Sequence, residues 1–396
     1  MAILVSLLLA PLLIANLMFL AELTFGVARR QPGDLPAEGR GATIIVPAHD
    51  EASVIERTLK GFQMAGGVDF PILVVADNCA DTTAAIARRL GVAVIERNDD
   101  HQRGKGYALS FARDCLRAKP PSAVIVLDAD CRIDAQSLQN LTGACDQTNG
   151  ACQAINLLDP SLSASPMVQI STFAFMIKNL IRQRGLQRLT GGVHLTGTGM
   201  CLPWHLFNQA DLATASIVED IRLGIELTRL GKPPQLAEGS YVWSAHADLA
   251  NSLSQRGRWE GGFLAIARTA APEMLLRGVR NLAPRTILSG LDMLVPPLAM
   301  LAIINAGVLL LVGAMAAAGA LSWAPALVLG SIAILDAAAL FIAWLREGRD
   351  YLSLKTLAKM PLYVLWKVPM YLGLVKRGAP AEWLRTERPT ETDREA

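Results

Sequence analysis

Two aspartates spaced by one residue, Asp128 and Asp130, follow an apolar run in the sequence VIVLDADCRID (124–134). In an extended strand, side chains two residues apart point to the same side, so the two carboxylates would form one cation site. Carboxylates bind Mg²⁺ or Mn²⁺ in this way when substrate phosphates and water complete the coordination. A solvated strand end is the alternative, because strand ends often carry aspartates.

A second acidic pair and a basic loop add to this chemistry. Glu219 and Asp220 stand just ahead of a predicted helix in SIVEDIRLGIEL (216–227), where Asp220 alternatively serves only as the cap of that helix. The sequence HQRGKGYAL (101–109), which contains Lys105, is a basic loop with glycines before another helix. Such a loop suits an anionic phosphate, and a solvated turn is the alternative.

The sequence QRGRW (255–259) places Gln255, Arg258 and Trp259 at positions i, i+3 and i+4, which share one face of a helix. The alternative for this sequence is a basic interfacial helix with a tryptophan anchor. His246, in the preceding sequence SAHAD, is interpreted as a structural histidine rather than as a metal or phosphate ligand.

The elements that must position these residues alternate along the chain as strand and helix. The predicted strands are apolar throughout, which indicates an α/β fold with a mostly parallel sheet covered on both faces; they are 42–50, 71–78, 92–97 and 123–130. Ligands of such sheets bind at the carboxyl ends of the strands. Polar residues cluster at those ends, as His49-Asp50-Glu51, Asp77-Asn78 and Asp128 with Asp130. No GxGxxG sequence follows the first strand, which disfavours a dinucleotide-dependent dehydrogenase.

Two regions of the chain are apolar enough to cross a bilayer. Residues 1–21 carry no charge, and residues 286–345 carry only Asp292 and Asp336. The second region is long enough for two spans with a break at 316–325. A charge in a span is unfavourable, so Asp336 is expected to line an acceptor-lipid path or to pair with a polar neighbour.

The basic residues predict the side of the membrane. Arg29 and Arg30 follow the first apolar run, which favours a retained anchor over a cleaved signal peptide and places the next domain in the cytoplasm. The predicted divisions are an anchor at 1–30, a globular domain at 40–280, two transmembrane helices at 285–346, an interfacial or short membrane helix at 351–377, and a cytoplasmic tail at 378–396.

Cysteine content and charge exclude other classes of protein. None of the six cysteines forms a CxxC pair, which argues against a zinc site or a disulfide framework and for reduced thiols. The net charge is only +2, which gives no electrostatic case for a nucleic-acid partner.

Taken together and in order, these sequences resemble the family 2 glycosyltransferases of the GT-A fold (Rossmann-like), particularly membrane-integrated bacterial members related to processive polysaccharide synthases. The resemblance covers about 42–265 and the flanking membrane segments. The matching sequences are VPAHDE (46–51), VVADNCADTT (74–83), RGKGYAL (103–109), LDADCRI (127–133), TGTGM (196–200), VED (218–220) and QRGRW (255–259).

The resemblance implies roles on the donor side. Glu51 and Asp77 would hold the base and ribose of a nucleotide sugar, and Arg258 would pair with its pyrophosphate as a planar fork. Asp128 and Asp130 would bind Mg²⁺ or Mn²⁺, with Asp130 as the more direct ligand. The donor-binding residues implied in this way are Pro47, His49, Glu51, Asp77, Lys105, Asp128, Asp130 and Arg258.

On the acceptor side, the resemblance implies that Asp220 is the general base, which takes a proton from the acceptor hydroxyl as that oxygen attacks the anomeric carbon. The leaving nucleoside diphosphate would be held by the metal, so the resemblance implies a single displacement that inverts the anomeric carbon. The residues implied to border the acceptor are Thr198, Gly199, Glu219, Gln255 and Trp259. The looser match EWLRTER (382–388) implies a gating or pyrophosphate role for Trp383 and Arg385.

We therefore expect an inverting, metal-dependent glycosyltransferase of the bacterial inner membrane. It would move a hexosyl or N-acetylhexosaminyl group from a nucleotide sugar, with UDP as the expected carrier, to a lipid-linked or membrane-associated acceptor in glycolipid, exopolysaccharide or cell-envelope glycan synthesis. A processive synthase that couples polymerisation to export is the first alternative; QRGRW favours it, but a channel would need more helices or a partner subunit. A non-catalytic nucleotide-binding scaffold is the second, and it would not need to keep Asp220 or the aspartate pair.

Overall fold

The computed structural model describes residues 2–28, 39, 41–216, 218–245 and 249–378. Trp383, Arg385 and His246 therefore lie outside the described residues. The chain divides into two compact units that interleave along the sequence. We call the described residues of 30–159 and 192–247 the sheet unit, and those of 1–29, 160–191 and 248–380 the helical unit.

The secondary structure follows the predicted alternation from β1 to β4, and the sheet unit contains four later strands that are not predicted from the sequence. The strands are β1 (Thr43–Ala48), β2 (Ile72–Asp77), β3 (Ala93–Arg97), β4 (Ala123–Val126), β5 (Cys131–Ile133), β6 (Cys152–Leu158), β7 (Met200–Pro203) and β8 (Gln235–Ser244). The helices are α1 (Ala2–Gly26), α2 (Ile55–Gly66), α3 (Thr83–Arg89), α4 (Lys105–Leu116), α5 (Ala135–Thr148), α6 (Pro166–Met176), α7 (Gln183–Thr190), α8 (Trp204–Gln209), α9 (Glu219–Arg229), α10 (Leu249–Arg280), α11 (Pro284–Asp292), α12 (Leu298–Ala317), α13 (Ala324–Ala343), α14 (Leu354–Leu357) and α15 (Met360–Arg377). Two π-helical segments, Ile177–Arg182 and Trp344–Gly348, continue α6 and α13.

The strands of the sheet unit form one mixed sheet in the order β3-β2-β1-β4-β7-β6-β8-β5. The first four strands in sequence are mutually parallel, as predicted. β7 pairs antiparallel with both β4 and β6, and β5 pairs antiparallel with β8. The predicted α/β fold with a mostly parallel sheet is thereby confirmed.

The apolar strands are buried because the sheet is covered on both faces. Along β1, Ile44 and Val46 join one apolar cluster, which includes Leu59 of α2, while Ile45 joins another, which includes Leu109 of α4. This division follows from the alternation of side chains along a strand. The uninterrupted apolar runs of the sequence therefore mark strands buried from both sides.

Three helical segments are long and apolar enough, by length and composition, to cross a membrane: Leu9–Gly26, Leu298–Ala317 and Ala324–Gly348. They correspond to the predicted anchor and to the predicted pair of spans. The second span begins at Leu298 because residues 284–292 form the separate helix α11. Inside the helical unit, Asn16 of α1 and Asn305 of α12 exchange side-chain hydrogen bonds of 2.9 and 2.7 Å.

Asp336, the charged residue in the last predicted span, is 7% exposed on α13. Within the part of the chain that the structure describes, neither of its carboxylate oxygens has a hydrogen-bond partner. The expected pairing with a polar neighbour is therefore not seen among these residues.

A buried ion cluster ties three elements of the helical unit together. Arg182, at the end of the first π-helical segment, donates from Nε to Glu22 of α1 (2.5 Å) and from Nη2 to Asp292 of α11 (3.1 Å). The Glu22 and Asp292 side chains are 0% and 3% exposed, so the guanidinium is the main charge balance for two carboxylates out of water. Removing one partner of a buried ion pair typically costs about 3–5 kcal/mol.

We expect Arg182→Met to lower the thermal midpoint of the detergent-solubilised protein by roughly 6 °C or more, measured by intrinsic fluorescence. Arg268→Met is the matched control, since Arg268 is exposed on α10 of the same unit. The triple change Arg182→Met, Glu22→Gln, Asp292→Asn should recover part of the loss. Equal midpoints for Arg182→Met and Arg268→Met would show that the cluster does not stabilise the unit.

Candidate active site

The aspartate pair lies in a turn rather than in a strand. Parallel pairing continues to Leu127, whose N–H donates to the Ile45 carbonyl (3.1 Å), but β4 ends at Val126. The Cys131 N–H then donates to the Asp128 carbonyl (3.3 Å), which closes a turn that leads into β5. The prediction that strand 123–130 includes both aspartates is wrong, because the chain turns there to pair β5 with β8. The argument from strand alternation does not apply to this pair.

Lys105 contacts one of these aspartates. It is the first residue of α4, and its Nζ donates to Asp128 Oδ1 and to the Gly197 carbonyl, the latter at 2.6 Å. The side chain of Lys105 is largely buried. Gly106 lets the start of α4 approach this region, because a Cβ there would lie 2.4 Å from the Leu212 carbonyl oxygen.

Asp220 borders the same point from α9. A Cβ added to Gly197 would lie 3.3 Å from Asp220 Oδ2 and 3.7 Å from Lys105 Nζ. Gly197 has φ +83°, a conformation that L residues adopt only with strain. Glycine at this position therefore allows the backbone conformation of the turn and leaves room for Asp220 and Lys105 to approach it. We call Lys105, Asp128, Gly197 and Asp220 the central cluster.

The turn that carries Gly197 is fixed to the sheet on its other side. Thr198, which is 3% exposed, accepts a hydrogen bond at Oγ1 from the Asp128 N–H (3.1 Å). Gly199 has φ +69°, and a Cβ on it would lie 2.9 Å from side-chain carbons of both Ala154 and Val242. The sequence TGTGM is thus fixed against the turn at 128–131, which we call the aspartate turn.

The charges of this region influence one another. Burial and the adjacent Asp220 carboxylate raise the pKa of Glu219 to about 8. Burial lowers the pKa of Lys105, but the charge and hydrogen bond of Asp128, together with the nearby acidic pair, outweigh it, and the net shift is upward. At neutral pH Lys105 is therefore an ammonium, and Glu219 is mostly protonated.

The ends of β1 and β2 lie side by side in the sheet unit. Asp77, the last residue of β2, is buried and accepts from Arg97 Nη1 at the end of β3 (2.7 Å). His49 Nδ1 lies 2.7 Å from the Asp77 carbonyl oxygen, and Pro47 is in register with Val75. Burial raises the pKa of the Asp77 carboxyl, while the hydrogen bond and charge of Arg97 oppose the rise.

Arg97 is a residue that sequence reasoning missed. It ends a predicted strand, which was the available signal, and its guanidinium also lies 5.5 Å from the centre of the Tyr107 ring. Its Nη2 donates to Asp99 (3.2 Å), whose own N–H donates to the Asn78 side-chain oxygen (2.7 Å). Arg97 therefore links three polar residues at the carboxyl edge of the sheet.

Asp50, Cys79 and Asp81 bring one ligand atom each to within 4.8 Å of one another. Backbone donors already use these carboxylates: Asp50 Oδ1 accepts from the N–H groups of residues 80 and 81, and Asp81 accepts from those of residues 52 and 83. Burial raises the pKa of the Cys79 thiol to about 11, so it stays protonated at neutral pH. Because both carboxylates accept hydrogen bonds from backbone N–H groups of the neighbouring loop, we interpret this group as a link between the ends of β1 and β2. Glu51 joins this link, because its N–H donates to Thr83 Oγ1 (2.8 Å).

Of the two predicted metal ligands in the turn, Asp128 contacts a cationic side chain. The ammonium of Lys105 already contacts Asp128, which shows that this carboxylate faces a position suited to positive charge. Carboxylate oxygens are the ligands preferred by Mg²⁺ and Mn²⁺.

Gln255, Arg258 and Trp259 lie on α10, in the helical unit. Two other residues of QRGRW hold that helix in place. Arg256 donates to the Ser171 carbonyl (3.0 Å) and lies over the rings of Phe175 and Trp259, at 5.1 and 5.5 Å. A Cβ on Gly257 would contact the Met370 side chain at 3.6 Å. The spacing argument missed both residues, because their partners are distant in sequence.

Comparison with known structures defines the class of protein. The chain is similar to the mannosyltransferase PcManGT from Pyrobaculum calidifontis, whose structure is a complex with GDP-Man and Mn²⁺. The TM-score is 0.56 at 19% sequence identity, and the match covers 94% of this chain and 98% of that chain. At this identity the likeness shows the fold, which is that of the GT-A glycosyltransferases.

Sequence comparison then identifies the family. The sequence profile described as Glycosyltransferase like family 2 matches residues 40–262, more than half of the chain. Glycosyltransferase AglD of Haloferax volcanii is 30% identical over 122 residues, which are 28% of this chain and 19% of that protein. The match thus spans about a fifth of that relative. The chain belongs to glycosyltransferase family 2, and the predicted family is confirmed.

We expect Gly197→Ala to reduce sugar transfer about tenfold or more, because a methyl group there displaces Asp220 or Lys105 in addition to straining the turn. Gly231→Ala is the matched control: Gly231 also has positive φ (+74°), but a Cβ there meets nothing within 4 Å. Initial rates and thermal midpoints of both variants separate the two effects. Similar rates for the two variants would contradict a role for the central cluster.

Proposed function

We propose that this glycosyltransferase moves one sugar from a nucleoside diphosphate sugar, with UDP as the carrier, to a lipid-linked or membrane-associated acceptor. The observation that carries the proposal is the central cluster. It brings a carboxylate suited to a cation, an ammonium and a second carboxylate around one glycine turn. These are the groups that a displacement at a sugar carbon with a diphosphate leaving group requires.

Asp220 is the general base in this proposal. Its carboxylate takes the proton of the acceptor hydroxyl while that oxygen forms a bond to the anomeric carbon. The bond between the anomeric carbon and the donor phosphate oxygen breaks in the same displacement, and the electron pair leaves with the nucleoside diphosphate. The configuration at the anomeric carbon is inverted. The raised pKa of Glu219 is consistent with this role, because the negative charge of the adjacent Asp220 carboxylate is one of its causes.

The donor is held along the carboxyl edge of the sheet. Asp77, oriented by Arg97, accepts from the base, with Pro47, His49 and Glu51 beside it. In this proposal Lys105 offsets charge on the departing diphosphate, and Arg258 is assigned to the same diphosphate through the family resemblance. Asp128 and Asp130 would hold Mg²⁺ or Mn²⁺, which when bound stabilises the negative charge of the leaving group.

Fewer observed contacts support the assignment of the acceptor-binding residues. Thr198 and Gly199 belong to the turn that carries Gly197, which lies next to Asp220. Glu219 directly precedes Asp220 in the sequence. Gln255 and Trp259 are assigned to the acceptor through the resemblance of QRGRW to the motif of the family. Three helices long enough to span a membrane support an acceptor that is itself at the membrane.

A donor screen tests the proposal. The full chain in nanodiscs is incubated with nucleotide sugars, Mn²⁺ or Mg²⁺, and extracted membrane lipid as acceptor. The donors are UDP-sugars and GDP-mannose, the latter because the similar mannosyltransferase was solved with GDP-Man. Mass spectrometry should show a lipid product that is one sugar heavier. A ladder of products would favour a processive synthase, the alternative that QRGRW supports. Failure to consume any donor would favour the scaffold alternative.

A further inference from the structure

Helix α15 in the helical unit has its polar and apolar faces reversed. Large aliphatic side chains are exposed at Leu362, Leu365, Leu372 and Val375, with exposed fractions of 58%, 65%, 55% and 79%. Successive residues of a helix are about 100° apart, so these four fall within one arc of its surface. We call them the exposed stripe. A helix on a water-soluble surface shows the opposite arrangement.

The buried face of α15 is polar and is bonded to α10. Lys367, which is 3% exposed, donates from Nζ to Glu260 Oε1, and the Tyr371 hydroxyl donates to Glu260 Oε2 at 2.7 Å. The Lys367 ammonium also lies 5.6 Å from the ring centres of both Tyr363 and Tyr371. We call these contacts the Glu260 latch. A charge-assisted hydrogen bond at a buried site is strong, and its loss leaves the partner charge unpaired.

The latch lies next to the motif on α10. Glu260 directly follows QRGRW, and Met370 of α15 packs against Gly257 within it. Helix α15 therefore contacts the segment that carries Gln255, Arg258 and Trp259 at two residues, Gly257 and Glu260, which lie on one face of α10. A displacement of α15 would be transmitted to these residues.

The surroundings of the stripe favour lipid as its occupant. Helix α15 packs against α12, one of the segments able to span a membrane, which itself exposes Leu310 and Leu311. Its 18 residues extend about 27 Å, which is shorter than the hydrocarbon core of about 30 Å. Exposed lysines lie at its two ends, with Lys359 just before its first residue and Lys376 in its last turn, where phosphate headgroups would accept them.

We propose that the exposed stripe of α15 is embedded in the acyl region of one leaflet and that, through the Glu260 latch, the lipid-seated helix positions the QRGRW segment for catalysis. Lys367 and Tyr371 are positioning residues in this arrangement. The part that concerns catalysis rests on the proposed function, whereas the lipid contact does not.

Photo-crosslinking tests the lipid contact. The full chain carrying p-benzoylphenylalanine at position 365 or 372 is irradiated in nanodiscs of phosphatidylcholine and phosphatidylglycerol, and adducts are identified by mass spectrometry. Lipid adducts are expected at both positions. The control is Met64, an exposed apolar residue of α2 in the sheet unit, where no lipid adduct is expected. A covalent dimer at 365 or 372 would assign the stripe to a second copy, and either that result or the lack of lipid adducts would overturn the proposal.

Two variants of Lys367 test the latch: one removes the positive charge and the other keeps it. Lys367→Met should lower kcat about tenfold with a smaller change in donor KM, and it should speed hydrogen–deuterium exchange in residues 255–260. Lys367→Arg should keep most of the activity, and Lys355→Met is the control at an exposed lysine of α14 in the same unit. Unchanged exchange in Lys367→Met would overturn the latch even if no donor turned over, so its failure is distinguishable from failure of the proposed function.

Discussion

Replacing Asp220 with Asn is expected to abolish most sugar transfer, lowering kcat by a factor of about 10²–10⁴. The amide keeps the size of the carboxylate beside Gly197 but cannot accept the proton of the acceptor hydroxyl. Donor binding should change little, because Lys105, Asp128 and the residues around Asp77 are untouched. The measurement is initial-rate kinetics with a turned-over donor, together with donor binding by calorimetry.

The neighbouring carboxyl supplies the control for this prediction. The pKa of Glu219 is raised from about 4.5 to about 8, so the group is mostly protonated at any pH clearly below 8. At pH 7 the neutral amide of Glu219→Gln imitates that state, and we expect it to retain most of the activity. Normal turnover in Asp220→Asn would show that the base is another residue. A loss in Glu219→Gln as large as that in Asp220→Asn would show that the two carboxyls act as a unit.

The second large effect is expected for the aspartate turn. Asp130→Ala should remove the dependence of donor binding on Mn²⁺ or Mg²⁺ and should weaken that binding at least tenfold. Asp128→Ala should act in the same direction, with the added result that Lys105 loses its carboxylate partner. Calorimetric titration of donor in the presence of Mn²⁺, and again after chelation, measures both changes.

Cys79→Ser serves as the control for the metal site. It alters the other group of ligand atoms, that of Asp50, Cys79 and Asp81, without touching the aspartate turn. We expect metal-dependent donor binding to survive in Cys79→Ser. If Cys79→Ser lost the dependence of donor binding on metal and Asp130→Ala did not, the metal site would have to be assigned to the ends of β1 and β2.

The predictions that held for the fold came from local patterns. The runs at 44–48 and 72–76 are apolar throughout because their strands are buried on both faces, and such a pattern can be read without knowing any contact. The polar residues that follow them were expected to meet, since carboxyl ends of parallel strands share one edge. His49 and Asp77 do meet there.

The pattern failed where pairing depends on a distant segment. The apolar run before Asp128 looks like a strand that continues through Asp130, but β5 pairs with β8, more than a hundred residues later, and the chain turns to reach it. In the same way, the lysines of 351–377 look like interruptions of a membrane helix. Lys367 is instead buried against Glu260, which is 107 residues away in sequence.

The sequence by itself determined the order of strands and helices as far as β4, the apolar segments long enough to cross a membrane, the family and the residue types in its motifs. These depend on periodicity, composition and short motifs, which neighbouring residues specify. Only the tertiary structure decided that Lys105, Asp128, Gly197 and Asp220 surround one turn, that Arg97 holds Asp77, and that α15 presents its apolar side outward. Such contacts join residues far apart in the chain, and they form only when the burial of the whole sheet or helix bundle offsets the entropy of bringing those segments together.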